Sequence, residues 1–234
     1  MTESLPTAAI LLDIEGTTTP IAFVHDVLFT YARQHVRDYL VQHGSELDDD
    51  IAQLRDERAR DVEAPPLANG PDAIATYVHW LIDRDRKSTG LKSLQGKIWR
   101  EGYMNGTLKS QVYDDVRPAF ERWQKAGLQI SIFSSGSVLA QQLLFAHTDN
   151  GDLTPFISDY FDTNVGAKGD PESYRQIANK LNLAPQAILF ISDVVTELEA
   201  ATAAGMQTRL SIRPGNQPQP DPDRFRIIHS LDEL

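Results

Sequence analysis

Two acids, Asp13 and Glu15, stand two residues apart in Asp13-Ile14-Glu15-Gly16-Thr17-Thr18-Thr19, directly after the apolar run Ala8 to Leu12. Alternate residues of an extended segment point the same way, so both carboxylates can face one site. Adjacent carboxylates repel, and a divalent cation or a shared proton relieves that repulsion. An Asx turn leaving a strand accounts for the same residues without any chemistry. Three later segments bear on the choice. Ser134-Ser135-Gly136-Ser137 follows the expected strand Leu128 to Phe133. Hydroxyls, successive amides and a helix start at that place form a cradle for phosphate, or simply a serine N-cap. Lys168 lies between glycines in Val165-Gly166-Ala167-Lys168-Gly169-Asp170-Pro171, where a solvated side chain is the plain alternative. Asp193 and Glu197 follow the run Ala187 to Ile191 and are four residues apart. On a helix that spacing puts both on one side; an N-cap acid and a first-turn acid are the other reading. Each segment has an ordinary explanation, but four polar signatures in series at strand ends point to one site.

The elements that must position these residues are legible. An unbroken apolar run predicts a strand buried on both faces of a parallel sheet, and ligands of open α/β sheets bind at the carboxyl ends of strands. Strands are expected at Ala8 to Leu12, Leu128 to Phe133, Ala187 to Ile191 and Gln207 to Ile212, alternating with helices. Asp114 and Asp115 are expected to cap a helix from Val116 to Ala126. Pro171 sits at the first position of a helix reaching about Leu181. Between these signals only helical patterns occur: Val24 to Val41, about Asp48 to Val62, Ala73 to Arg84 and Leu94 to Tyr103. The acidic stretch Glu46 to Asp50 reads as a solvated helix start. The expected fold is therefore α/β, a doubly wound parallel sheet formed by residues 1–21 and 113–234, with residues 22–112 inserted as an all-helical cap.

Composition bounds the function. The chain has 234 residues, 41% of them hydrophobic, enough for a full core plus an insertion. The net charge of −11 disfavours nucleic acid and anionic membranes. No run of 18 apolar residues occurs, and MTESLPTAA lacks the basic and apolar parts of a signal peptide, so a cytoplasmic protein is expected. With no cysteine, disulfides, thiolate nucleophiles and Cys-ligated metals are excluded. The segment Gly90 to Ile98 has the wrong spacing for a P-loop, the six histidines show no zinc spacing, and there is no G-x-S-x-G elbow. Arg213-Pro214-Gly215-Asn216 reads as a turn.

The order D-x-(D/E)-G-T, S-S-G-S, lysine, S-D-x-x-x-E resembles the haloacid-dehalogenase-like (HAD) phosphohydrolases over the whole chain. With Glu15 in place of the usual second Asp, DIEGTTTPI, REGYMNGTLKSQVYDDV, FSSGSVLAQQLLF, ISDVVTELEAA and RPGN resemble the enolase-phosphatase family of methionine salvage. That resemblance implies a Rossmann-like core and Asp13 as a nucleophile that becomes an aspartyl phosphate. It implies Mg²⁺ held by the Asp13 carboxylate, the Glu15 backbone carbonyl and Asp193, with Glu197 orienting a bound water. Ser134, Ser135 and Gly136 would bind the phosphoryl group, Lys168 would screen the nucleophile, and Glu15 would act as acid and base. The implied substrate is 2,3-diketo-5-methylthiopentyl-1-phosphate, enolised and then dephosphorylated to 1,2-dihydroxy-3-keto-5-methylthiopentene by a monomer. The base for enolisation stays open between Glu15 and a cap residue. Tyr77, Trp80, Trp99 and Tyr103 either line a slot for the methylthio tail or pack the cap. Rival readings are a capped phosphatase for another small ester, such as a sugar phosphate or phosphoglycolate, and a non-catalytic phosphate-binding module.

Overall fold

A computed structural model describes residues 6–84 and 86–234, so the first five residues of the N-terminal segment lie outside it. Six strands form one sheet: β1 (Ala9–Leu12), β2 (Gln129–Phe133), β3 (Asp159–Phe161), β4 (Ile188–Ser192), β5 (Gln207–Ser211) and β6 (Ile227–Ile228). Their spatial order is β3-β2-β1-β4-β5-β6, and every pairing is parallel. The chain builds outward from β1 in one direction, then returns to build outward in the other. The point of reversal lies between β1 and β4, which is where open α/β sheets bind ligands. Register there is fixed by Leu12 opposite Ile191 and Leu12 opposite Ile132.

Burial explains these strands. All four residues of β1 and all five of β4 are buried. Four helices belong to the same unit: α5 (Val116–Lys125), α6 (Val138–Ala146), α7 (Pro171–Leu181) and α8 (Val195–Ala203). Helix α5 buries Val116, Ala119, Phe120 and Trp123, the i, i+3, i+4, i+7 stripe of an amphipathic helix. Helix α7 opens on Asp170, whose side chain accepts from the Glu172 amide, with Pro171 at the first position, and buries Tyr174, Ile177, Ala178 and Leu181. Strands β3 and β6 were not anticipated. They have three and two residues and no apolar run long enough to mark them.

The chain divides into two units, one of Met1–Val24 with Lys109–Leu234 and one of His25–Leu108. The second unit is helical: a π-helical stretch Phe23–Phe29, begun in the last two residues of the first unit's N-terminal segment, leads into α1 (Thr30–His43), followed by α2 (Asp48–Arg60), α3 (Pro71–Asp83) and α4 (Thr89–Met104). Within it the Trp99 indole donates to the Leu28 carbonyl (2.8 Å), and Tyr77 stacks on Trp80. Tyr77, Trp99 and Tyr103 are buried. Among the described residues no helix is long and apolar enough to cross a membrane.

Two expectations about acids are corrected. Asp50 is not solvated: it is 5% exposed, accepts from Ser93 Oγ at 2.5 Å and pairs with the Lys97 ammonium. Asp115 occupies the N-cap position of α5 but makes no capping hydrogen bond. Its carboxylate is recruited elsewhere, by Arg213 Nη1 (2.8 Å), the Leu231 amide (2.6 Å) and Ser230 Oγ (2.8 Å). A charged partner outbids the helix's own amides.

Candidate active site

Parallel pairing brings the ends of β1 and β4 side by side. The Asp13 amide donates to the Ile191 carbonyl at 3.0 Å, extending the ladder one residue and placing Asp13 at the rim. Beyond it the chain turns tightly. The Thr17, Thr18 and Thr19 amides all donate to the Ile14 carbonyl, and the Gly16 amide donates to Thr19 O (2.8 Å). Gly16 takes φ +66°, a conformation that glycine adopts without the strain a Cβ brings. A Cβ on Gly16 would also sit 2.4 Å from Asp193 Oδ2, so the turn is pressed against the end of β4.

Lys168 reaches this rim from the loop before α7. Its Nζ lies 2.6 Å from Asp13 Oδ1 and 2.7 Å from Glu197 Oε2, and the side chain is only 9% exposed. The loop is shaped for this reach. Gly166 has φ +133°, and a Cβ there would meet Ser173 Oγ at 2.3 Å. Tyr174, fully buried in α7, donates its hydroxyl to the Lys168 carbonyl at 2.7 Å. The ammonium also lies 5.8 Å from the centroid of the Phe133 ring, at the end of β2. Sequence reading missed Ser192, the last residue of β4. Its Oγ contacts Glu197 Oε2 (2.9 Å) and Asp13 Oδ2 (3.3 Å) and accepts from the Val194 amide (3.1 Å). Its single proton serves one acid at a time.

Asp193 is 6% exposed and, among the described residues, makes no ion pair. Burial, then the nearby Asp13 and Glu197 charges, push its carboxyl up to about 7. Glu197 is raised for the same reasons, burial first and then Asp13, although Lys168 opposes the shift. Lys168 stays charged: burial disfavours the ammonium, but Asp13 and Glu197 more than reverse this and raise its pKa. These directions agree on one fact. Asp13 and Glu197 share the one ammonium and Asp193 stands near them without a partner cation, so acids outnumber positive charge at this rim. A hard divalent cation taking oxygen ligands fits that set. Mg²⁺ needs only one or two protein carboxylates beside waters and substrate oxygens. Among the described residues no group of three or more His, Cys, Asp or Glu side chains is placed to hold a metal ion by itself.

The remaining candidates are placed as follows. Ser134 directly follows β2, buried, with its amide on the Phe161 carbonyl (3.1 Å) and its Oγ accepting from the Gly136 amide (3.3 Å). The hydroxyl proton of Ser134 is thereby left for an acceptor. Ser135 is exposed, and Ser137, not Ser134, caps α6 by accepting from the Ala140 amide. Glu15 is half-buried on the turn and bridges to Thr19. The turn Arg213 to Asn216 proves to be part of this region: Asn216 Nδ2 (2.9 Å) and Ser211 Oγ (3.2 Å) both donate to the Gly16 carbonyl. The only signal for that contact in the sequence is a polar residue after a Pro-Gly pair.

An acid at the tip of β1, a lysine from the loop before α7 and acids after β4 of a parallel sheet define a phosphohydrolase-type α/β site. A family model described as haloacid dehalogenase-like hydrolase matches residues 7–205. Over 230 residues the chain is 56% identical to Enolase-phosphatase E1 of Synechococcus elongatus, covering 96% of each sequence. It is 45% identical to Enolase-phosphatase E1 of Drosophila melanogaster, over 95% of this chain and 93% of that one. Among solved structures, the UTR4 protein of Saccharomyces cerevisiae superposes with a TM-score of 0.82 at 33% identity, covering 97% of this chain and all of the other. The chain belongs to the haloacid dehalogenase-like hydrolases and, within them, to the enolase-phosphatase E1 proteins.

Proposed function

We propose that this chain is the Mg²⁺-dependent enolase-phosphatase of methionine salvage. It enolises 2,3-diketo-5-methylthiopentyl-1-phosphate and then removes the phosphate to give 1,2-dihydroxy-3-keto-5-methylthiopentene. The observation that carries this reading is the buried Asp13–Lys168–Glu197 set with Asp193 beside it, in a chain more than half identical to enolase-phosphatases along nearly its whole length.

Asp13 is the nucleophile. Its carboxylate attacks phosphorus, the bond to the substrate's oxygen breaks, and the phosphoryl group rests on Asp13 until water displaces it as inorganic phosphate. Lys168 neutralises Asp13 as the anionic phosphoryl group approaches, which removes the main obstacle to attack. The Ser134 hydroxyl and the Ser135 and Gly136 amides hold the phosphoryl oxygens. Glu15 gives a proton to the leaving oxygen and takes one from the attacking water. Asp13, the Glu15 carbonyl and Asp193, with Glu197 behind them, would hold Mg²⁺, which when bound would supply neutralisation of the negative charge that develops in both steps. The helical unit is the cap. All of these residues come from one chain, so a monomer suffices, and the cysteine-free composition suits a reducing cytoplasm.

The test is an assay of the purified protein on the diketone phosphate with Mg²⁺, following enol absorbance and phosphate release together. Both signals are expected. Phosphate release without an enol signal overturns the enolase half and favours a capped phosphatase for another ester. Glu15→Gln should slow phosphate release, and a matching loss of the enol signal assigns Glu15 to both steps.

A further inference from the structure

Asn216 makes contacts out of proportion to its place in a C-terminal turn. Its Nδ2 donates to the Gly16 carbonyl at 2.9 Å and to the Ser211 carbonyl at 3.2 Å. With both amide protons engaged, the orientation of the side chain is fixed. Its Oδ1 therefore faces the other way, where it is buried and has no protein partner. That direction is the site. The point where a Gly16 Cβ would stand is 2.9 Å from Asn216 Oδ1 and 2.4 Å from Asp193 Oδ2, which puts the two oxygens within about 5.3 Å of each other. A buried acceptor without a donor is unfavourable, so its retention here calls for an occupant such as a water. A water between Asn216 Oδ1 and Asp193 satisfies both.

The backbone contact has a second effect. Gly16 is pinned from both sides, its amide on Thr19 O and its carbonyl on Asn216 and Ser211. The Glu15–Gly16 peptide is planar and trans, so fixing the Gly16 N–H toward Thr19 aims the Glu15 carbonyl the opposite way.

We propose that Asn216 is a positioning residue for the cation site: it locks the Gly16 turn, and with it the Glu15 carbonyl, against Asp193, and its Oδ1 holds a water beside the Asp193 carboxylate. This rests on the Mg²⁺-dependent reading given above. Residues that orient a metal's ligands commonly change affinity or activity about 10–100-fold when removed.

The experiment uses the full chain and its Asn216→Ala and Asn216→Ser variants, so that a folded protein remains if one variant fails. Mg²⁺ alone is titrated into each by calorimetry without substrate, and thermal unfolding is followed in chelator. Turnover of the diketone phosphate is resolved into kcat and KM. The expected result is Mg²⁺ binding weakened at least about tenfold, with kcat lowered and KM for the phosphate ester little changed at saturating Mg²⁺. A lower melting temperature with unchanged Mg²⁺ affinity means a purely structural role and overturns the proposal. So does unchanged behaviour throughout. An unaltered protein that turns over the substrate but binds no Mg²⁺ overturns both this proposal and the metal reading. One that binds Mg²⁺ but fails to enolise overturns only the substrate reading, and the comparison of affinities still decides Asn216.

Discussion

The Lys168 ammonium lies 2.6 Å from Asp13 Oδ1 and 2.7 Å from Glu197 Oε2, so one side chain ties the end of β1 to the first turn of α8. Removing it leaves two buried carboxylates facing each other. Breaking a buried pair by deleting one partner costs about 3–5 kcal/mol, more than the pair itself adds over an apolar substitute. Lys168→Met is therefore expected to lower unfolding free energy by about 3 kcal/mol in denaturant titrations. Phosphate release should fall by about 10²–10³-fold, the size seen when one preorganised charge-stabilising group is deleted. A variant that turns over at the normal rate removes Lys168 from the chemistry.

Asp13→Asn separates chemistry from scaffolding. The replacement is isosteric and keeps an oxygen for the Ile14 amide, which donates to Asp13 Oδ1 at 2.8 Å. It also relieves the excess negative charge, so the thermal midpoint should stay within a few degrees or rise. An amide does not attack phosphorus as a carboxylate does. Phosphate release is expected to drop by about 10⁴-fold or more, as when a nucleophile is deleted from a cooperating set. Retained activity in a stopped assay for inorganic phosphate would give the nucleophile's role to another residue.

What the sequence disclosed, and what it hid, follows from the range of the signals. Strands β1 and β4 are apolar runs, β2 alternates apolar and polar residues, β5 shows itself only by its place after a helix, and Asp13, Lys168 and Asp193 sit near strand ends or between glycines, all local features. Strands β3 and β6 are too short for any periodicity to register. The Ser192 hydroxyl between Asp13 and Glu197, and the Tyr174 hydroxyl on the Lys168 carbonyl, exist only because parallel register and helix docking bring distant segments together. Asp115 misled for the opposite reason. Its local pattern is a helix cap, but a buried arginine from a segment nearly a hundred residues away claims it.

That Asp115–Arg213 contact makes the fold sensitive to acid. Burial pushes the Asp115 carboxyl up, but the hydrogen bonds from Arg213, the Leu231 amide and Ser230 outweigh burial and hold it below the ordinary value of 3.8. A carboxyl whose pKa is lower folded than unfolded adds stability that is complete above the unfolded value and is lost as pH falls through the folded one. Asp115→Asn leaves Arg213, itself 7% exposed, short of its counterion. The variant should be about 3 kcal/mol less stable at pH 7, with the gap narrowing as pH drops below 4. Urea unfolding at a series of pH values measures this. A gap that is constant from pH 7 to pH 3 means the carboxylate charge contributes nothing.

Gly16→Ala tests how tightly the turn is pressed against Asp193. The positive φ alone costs an L-residue about 1–2 kcal/mol. The larger effect is steric: the new methyl would start 2.4 Å from Asp193 Oδ2 and 2.9 Å from Asn216 Oδ1. One of these side chains must move, and Asp193 is the freer, because Asn216 is held by two hydrogen bonds while Asp193 makes no ion pair among the described residues. Displacing Asp193 separates it from Asp13. Mg²⁺ affinity and kcat are therefore expected to fall together, by at least about tenfold, while melting shifts by only several degrees. Calorimetric titration with Mg²⁺ beside a thermal melt distinguishes the two effects. A loss confined to stability would mean that the cation site tolerates displacement of either side chain, and would count against the role given to Asn216 as well.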